Sequence, residues 1–256
     1  MSMRGILKLV QRSICWPIEY VAAKVLPCMT KSRMRYLSFT FDDGFIDGAK
    51  KVDQILDPYK ATFYIVTGWV KPNNVPVRDA FNRGADHGRI EDWTALSEKG
   101  HDIGSHTVSH ASEKEPDSAY EFEASLDFIK QIHGRPYNFS CPHHVEINLE
   151  MPYYDTVRIG SDKTIYNNLS DIIMHRLISW EPSGHPFFEK KVFKTIAEIP
   201  DNSWMILSMH SLDGEGWNPF SGDALNRLKE YALKCGFHIK SVAQMIEIIR
   251  AAPENN

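Results

Sequence analysis

Three short segments of this chain hold residue types that perform hydrolytic chemistry. Asp42 and Asp43 are adjacent carboxylates directly before Gly44. Two such charges repel unless a cation or a proton intervenes, and neighbouring residues of a strand point to opposite sides. At a turn, which a glycine permits, they converge on one site in different roles, one as a metal ligand and the other as a free base. His106 and His110 stand at i and i+4. On a helical turn that spacing puts both imidazoles on one face, where they reach a single ion at about 2.0–2.1 Å. His210 follows the apolar run 204–209, and a histidine at a strand end serves as a general acid near neutral pH. Each segment alone also reads as ordinary structure: a loop turn, a solvated histidine pair, a rim histidine. Together they make a set. An Asp with two His is a facial triad that leaves positions for water and a substrate oxygen, a second carboxylate takes the proton of that water, and a histidine protonates the leaving group. That set performs metal-assisted acyl hydrolysis.

Strands must end where these groups stand. Residues 36–41, 61–66 and 204–209 are short apolar runs that predict buried strands, and Phe139 predicts a strand end. Helical spacing predicts helices over 50–56, over 91–99 closed by Gly100, over 223–235 with Leu225, Leu228 and Ala232 inward and Gly236 as stop, and over 242–251. Ser118 with Glu121 reads as a capping box ahead of Phe122, Leu126 and Ile129, with Gly134 as the C′ glycine. Residues 71–90 read as loop. Strands alternating with helices predict an α/β fold with a mainly parallel sheet. In such folds the site forms just past the carboxyl ends of strands, which points to Asp42, Asp43 and His210.

The chain has 256 residues, 43% hydrophobic and 24% charged, with a net charge of −4. This excludes collagen-like and low-complexity classes, and nothing in the charge asks for nucleic acid. The four cysteines form no C-x-x-C pair and read as free thiols. No apolar stretch reaches the roughly 18 residues of a membrane span. The segment 4–26 is apolar-rich but interrupted by Lys8, Arg12, Glu19 and Lys24, without the unbroken core of a secretory signal. Arg4, Lys8 and Arg12 would share one helical face, opposite Ile6, Leu7, Val10 and Ile14. Residues 1–30 are therefore expected as an N-terminal helical extension packed on the domain. A membrane-surface contact through 4–26 and a poor signal-anchor are the other readings. The expected location is cytoplasmic or membrane-peripheral.

Thr40-Phe41-Asp42-Asp43-Gly44, the run from Gly100 through His106 to His110, and Leu207-Ser208-Met209-His210 occur in this order, supported by Ala61-Thr62-Phe63 and Gly236-Phe237. In these motifs the sequence resembles the polysaccharide deacetylases of the NodB-homology type, carbohydrate esterase family 4, from about residue 35 to residue 249. The resemblance implies a distorted (β/α) barrel of about seven strands over residues 31–256. It implies Asp42 as catalytic base and His210 as general acid. Asp43, His106 and His110 would be ligands of a divalent metal, usually zinc, sometimes cobalt or nickel, and the substrate would be a glycan.

The departures are as specific. Many members carry an Arg-Pro-Pro-Tyr-Gly third motif whose Arg holds the base. Here the segment is Phe139-Ser140-Cys141-Pro142-His143-His144. Ser140 stands at the Arg position, and His143 at the Tyr position, whose backbone N–H helps form the oxyanion hole. His143 and His144 read first as loop residues, with extra metal ligands or substrate contacts as the alternatives. Trp180-Glu181 is the nearest counterpart of the fourth motif. Branches resembling poly-N-acetylglucosamine deacetylases also lack that Arg and keep a Trp before the second motif, as Asp92-Trp93 does here. Among the aromatics, Trp217 and Trp180 are candidates to stack on sugar, with Trp69, Tyr153 and Tyr154 behind them. The leading expectation is N-deacetylation of an N-acetylhexosamine glycan. O-deacetylation, a cyclic amide or imide amidohydrolase, and a non-catalytic glycan-binding module are the alternatives.

Overall fold

A computed structural model describes residues 34–73, 75–77, 80–111, 118–144, 153–161 and 163–252. The expected extension at 1–30 and the segment 4–26 lie outside them. No helix among the described residues is long and apolar enough to cross a membrane.

The elements run β1 (Arg35–Phe41), α1 (Ile46–Leu56), β2 (Thr62–Ile65), α2 (Ile90–Glu98), β3 (Asp102–Ser105), α3 (Ser118–Ile129), β4 (Asn138–Ser140), β5 (Thr156–Gly160), β6 (Asn167–Asn168), β7 (Leu177–Ser179), α4 (Glu189–Ala197), β8 (Ser203–Met209), α5 (Gly222–Lys234), β9 (His238–Ile239) and α6 (Val242–Ala251). Strands β8, β1, β2, β3, β4, β5 and β7 are neighbours in that order and parallel throughout. Trp180, one residue past β7, closes the ring: its N–H donates to Ile206 O, and its carbonyl accepts from Ser208 N, both at 2.9 Å. The antiparallel β6 on β8 and the short β9 on β1 are additions to it. This is the expected distorted (β/α) barrel, with seven strands in the ring.

Strand alternation decides what faces the barrel interior. On β1, Leu37, Phe39 and Phe41 pack outward against α1 and α5 in the main core, while Ser38, Thr40 and then Asp42 take the other side. On β5, Val157 and Ile159 join Phe122, Leu126 and Phe139 in a second core, and Thr156 and Arg158 turn inward. Each large apolar side chain so buried stabilises the fold by about 1.5–3 kcal/mol.

Two local expectations are corrected. Helix α1 begins at Ile46 rather than residue 50, because Ile46 and Ala49 already bury on the face that carries Val52 and Leu56. Gly134 is not the C′ residue of α3: the helix ends at Ile129, and Gly134 is not among the glycines with positive φ. Gly100 and Gly236, with φ of 94° and 79°, do end their helices in that way. Strands β5 and β7 and helix α4 have no counterpart among the expected elements.

Candidate active site

The Asp-Asp-Gly turn continues β1. Asp42 N donates to Met209 O at 2.8 Å, extending a register in which Phe41 lies beside Met209. Asp42 and His210 therefore follow the carboxyl ends of neighbouring strands. The chain then turns sharply, with φ of 72° at Asp43 and 80° at Gly44. A Cβ on Gly44 would come within 3.1 Å of the Ile65 side chain, so conformation and space both require glycine. The turn is braced from the loop before α2: His87 Nδ1 donates to Gly44 O at 3.1 Å, and Trp93 Nε1 donates to His87 O at 2.9 Å. Trp93 thus supports the turn through His87, while Asp92 accepts from Arg89 N at the start of α2 and from Lys50. Burial pushes the His87 pKa below the ordinary histidine value.

His106 and His110 do converge on Asp43, but not on a helical turn. Residues 106–111 form an irregular loop in which Thr107 and His110 have φ of 68° and 62°. Glu121 on α3 holds this loop. One carboxylate oxygen accepts from Val108 N and Ser109 N, each at 2.8 Å, and the other from Ser109 Oγ at 2.7 Å. The residue assigned by sequence to a capping box thus spends both oxygens on the histidine loop. With His143 (φ 57°), four side-chain-bearing residues in left-handed backbone gather here. Each such conformation costs roughly 1–3 kcal/mol and has to be held by its surroundings.

One ligand atom from each of Asp43, His106 and His110 lies within 4.8 Å of the others. Asp43 Oδ1 is 3.5 Å from His106 Nε2 and 3.4 Å from His110 Nε2. The chemistry of the donors says what fits between them. His106 Nδ1 lies 2.9 Å from Ser140 O; a carbonyl only accepts, so Nδ1 carries the hydrogen. Burial, the largest cause, holds the His106 pKa well below the histidine range, against the opposing pull of Asp42. The ring is therefore neutral and its Nε2 presents a lone pair toward Asp43 Oδ1. Two electron-rich atoms facing each other suit a cation, and a histidine whose other nitrogen donates to a carbonyl is the usual form of a metal-ligating imidazole. His143 is exposed, its ring edge-on to His110 at 4.6 Å, and it lies outside the three-residue group.

The other carboxylate is held by a residue outside every motif of the sequence. Arg158 Nη2 donates to Asp42 Oδ1 at 2.6 Å and Oδ2 at 2.5 Å, and Ser208 Oγ donates to Oδ2 at 3.3 Å. The guanidinium is 1% exposed. It also donates to Ser140 Oγ and, through Nη1, to Ser179 Oγ at 3.0 Å, and lies over the Tyr64 ring at 4.9 Å. Tyr64 fits beneath it because residue 104 is glycine: a Cβ there would meet the Tyr64 ring at 2.5 Å. Breaking a buried pair of this kind costs about 3–5 kcal/mol. The signal available in the sequence is an Arg inside the run Thr-Val-Arg-Ile-Gly, on the face opposite Val157 and Ile159.

Among the remaining candidates, His210 is half-buried and its Nδ1 finds no hydrogen-bond partner among the described residues. Trp217 is 49% exposed and packs edge-on against the exposed Phe81 at 4.8 Å. It follows Gly216, where a Cβ would lie 3.4 Å from His210 Cβ, so this aromatic pair lies at the rim. Trp180 closes the barrel through its backbone and packs against the main core. Tyr154 is buried in the second core with its hydroxyl on Phe122 O, which removes it as a sugar platform. Cys141 and Cys235 are free thiols.

Residues 30–154 match the family model described as polysaccharide deacetylase. In fold the chain is similar to a putative polysaccharide deacetylase from Mycobacterium smegmatis, with a TM-score of 0.58, 14% identity and 93% of each chain covered. It is similar to the Xyl-CE4 domain of a multidomain xylanase from the hindgut metagenome of Trinervitermes trinervoides, with a TM-score of 0.55 and 17% identity over 86% of this chain and 93% of that one. It is also similar to a CE4 family pseudoenzyme from Bacillus anthracis, with a TM-score of 0.52 and 14% identity over 84% of this chain and 66% of that one. No curated protein sequence matches. The matched segment holds the Asp-Asp-Gly turn and the histidine loop, and over residues 30–154 the chain matches the polysaccharide deacetylase family on a barrel that it shares with these structures.

Proposed function

We propose that this domain is a metal-dependent deacetylase that hydrolyses N-acetyl groups of an N-acetylhexosamine-containing glycan and releases acetate. The observation that carries the reading is the meeting, at one barrel mouth, of the Asp43, His106 and His110 donor set with Asp42 and His210. A divalent ion held by those three residues, zinc by the nature of its imidazole and carboxylate donors, supplies Lewis-acid polarisation of the acetyl carbonyl and activation of a water. Asp42 accepts the proton of the attacking water, and His210 donates one to the departing nitrogen. In this reading the His143 backbone N–H, at the Tyr position of the family's third motif, serves as the oxyanion donor. Trp217, with Phe81, receives a sugar ring.

The test is acetate release by metal-stripped protein, with and without added zinc or cobalt, on N-acetylglucosamine oligomers, acetylated xylan and a cyclic imide. Metal-dependent acetate from the oligomers is expected. Release from xylan alone would move the assignment to O-deacetylation, and silence on the whole panel with metal bound would favour a binding role. His210→Ala is expected to slow amide hydrolysis more than ester hydrolysis, because an alkoxide leaves with less protonation than an amine. Equal losses on both would remove the acid role.

A further inference from the structure

The base of this site is held from an unexpected strand, and the pairing of strands shows how. Ser140 on β4 and Arg158 on β5 are direct partners in the β4–β5 register. Both side chains turn to the same interior face and are hydrogen-bonded to each other. From that position Arg158 reaches both oxygens of Asp42, while Ser179, Tyr64 and Ser140 fix its plane. The backbone of Ser140 makes a further contact, because its carbonyl accepts from Nδ1 of His106. One residue therefore touches the group that holds the base and a group of the metal set.

We infer that Arg158 is the positioning residue of Asp42, and that Ser140 and Arg158 together do from two paired strands what a single arginine at position 140 would do from one. The inference rests on the deacetylase reading for the role of Asp42, and on the geometry alone for the pairing. A guanidinium that donates to both oxygens of a buried carboxylate fixes its rotamer as well as compensating its charge. It thereby fixes the direction in which the carboxylate faces. Arg158 does not itself touch the reacting atoms. Its removal is expected to act on kcat and leave metal and substrate binding intact.

The experiment compares Arg158→Ser, Arg158→Lys and the exchange Ser140→Arg with Arg158→Ser in the full chain. Steady-state kinetics on N-acetylglucosamine oligomers, bound zinc and urea unfolding are measured. For Arg158→Ser, kcat is expected to fall about 100-fold, with KM within about twofold and one zinc still bound. Arg158→Lys keeps a charge but loses the planar fork and should fall about tenfold. The exchange should recover kcat to within about tenfold of the natural chain, because the two positions are register partners on one face. Arg158→Ser or Arg158→Lys with natural kcat would overturn the inference. So would loss of zinc and activity together in folded Arg158→Ser, or an exchanged protein that folds, binds zinc and stays as slow as Arg158→Ser. If the natural chain releases no acetate, the deacetylase reading fails, and the pairing is judged by unfolding. A double-mutant cycle of Asp42→Asn with Arg158→Lys should then show coupling of about tenfold or more in the unfolding constant. Additivity there would sink the pairing as well.

Discussion

Asp42 and Asp43 are neighbours, each 3% exposed, yet the protein treats their charges in different ways. Asp43 faces two imidazoles carried by one loop, and the His106 imidazole is neutral in its buried setting. A neutral imidazole does not balance a carboxylate, so the donors of this half suit a cation. Asp42 meets a permanent cation, the Arg158 guanidinium, from a strand 116 residues further along the chain. That half is assembled by folding alone. The two halves should therefore fail in different ways. Damage to the histidine loop should remove metal and activity together, whereas damage around Asp42 should remove activity and spare the metal.

The largest effect should come from His106→Ala, with zinc uptake lost and activity down about 1000-fold or more, since several kcal/mol of transition-state stabilisation go with the ion. Metal analysis beside acetate release checks this; retained zinc would break the assignment of the donor set. Asp42→Asn should lower kcat by roughly 10²–10⁴-fold, the range for loss of a general base, while zinc binds as before. A variant that lost its zinc as well would erase the distinction between the halves. Zinc at about 100 times its Kd should raise unfolding stability by about 2.7 kcal/mol in the natural chain and in Asp42→Asn, and leave His106→Ala unchanged in calorimetry.

Glu121→Ala should weaken zinc binding by about 10–100-fold, the usual cost of losing a support behind the ligands, with a smaller loss of kcat at saturating zinc. Titration calorimetry measures it, and natural affinity would show that the histidine loop holds its left-handed turns unaided. The smallest effect concerns pH. Burial lowers the His101 pKa below 6.5, against the opposing Asp53 carboxylate. The unfolded chain therefore takes up a proton near pH 6.5 that the folded chain refuses. Stability from this group is complete above that pH and falls as pH falls below it. Unfolding midpoints of the zinc-free protein should drop between about pH 7.5 and about pH 5.5, and drop less in His101→Asn.

The strands that carry Asp42, Asp43 and His210 are legible in the sequence because each is short, local and marked by residue type, whereas β3, which leads into His106, is not. Residues 36–41 and 204–209 are mostly apolar runs leading directly into Asp42 and His210, and the strands found there differ by a single residue at the start. The histidine pair is legible for its spacing but not its backbone. In place of the expected helical turn, the loop uses positive φ at Thr107 and His110 and a carboxylate from α3 to present the same two rings. Glu121 reads as a helix cap because local pattern assigns a side chain to its own element, while the donors it meets belong to another.

Arg158 shows the limit most clearly. Strand β5 is five residues long with a charge at its centre, so no apolar run marks it, and β7 and α4 follow it in the same unmarked part of the chain. Motif order by itself marked the resemblance to the family and the barrel it implies, strand–helix alternation the α/β class, and residue type and spacing singled out Asp42, Asp43, His106, His110 and His210 as candidates. Those are matters of local pattern, written in consecutive residues. Only the tertiary structure decided which cation holds Asp42, which carboxylate holds the histidine loop, and how Ser140 joins the two halves. Those pairings depend on strand register and on which face of each strand turns inward, and register is set by contacts between residues far apart in the chain.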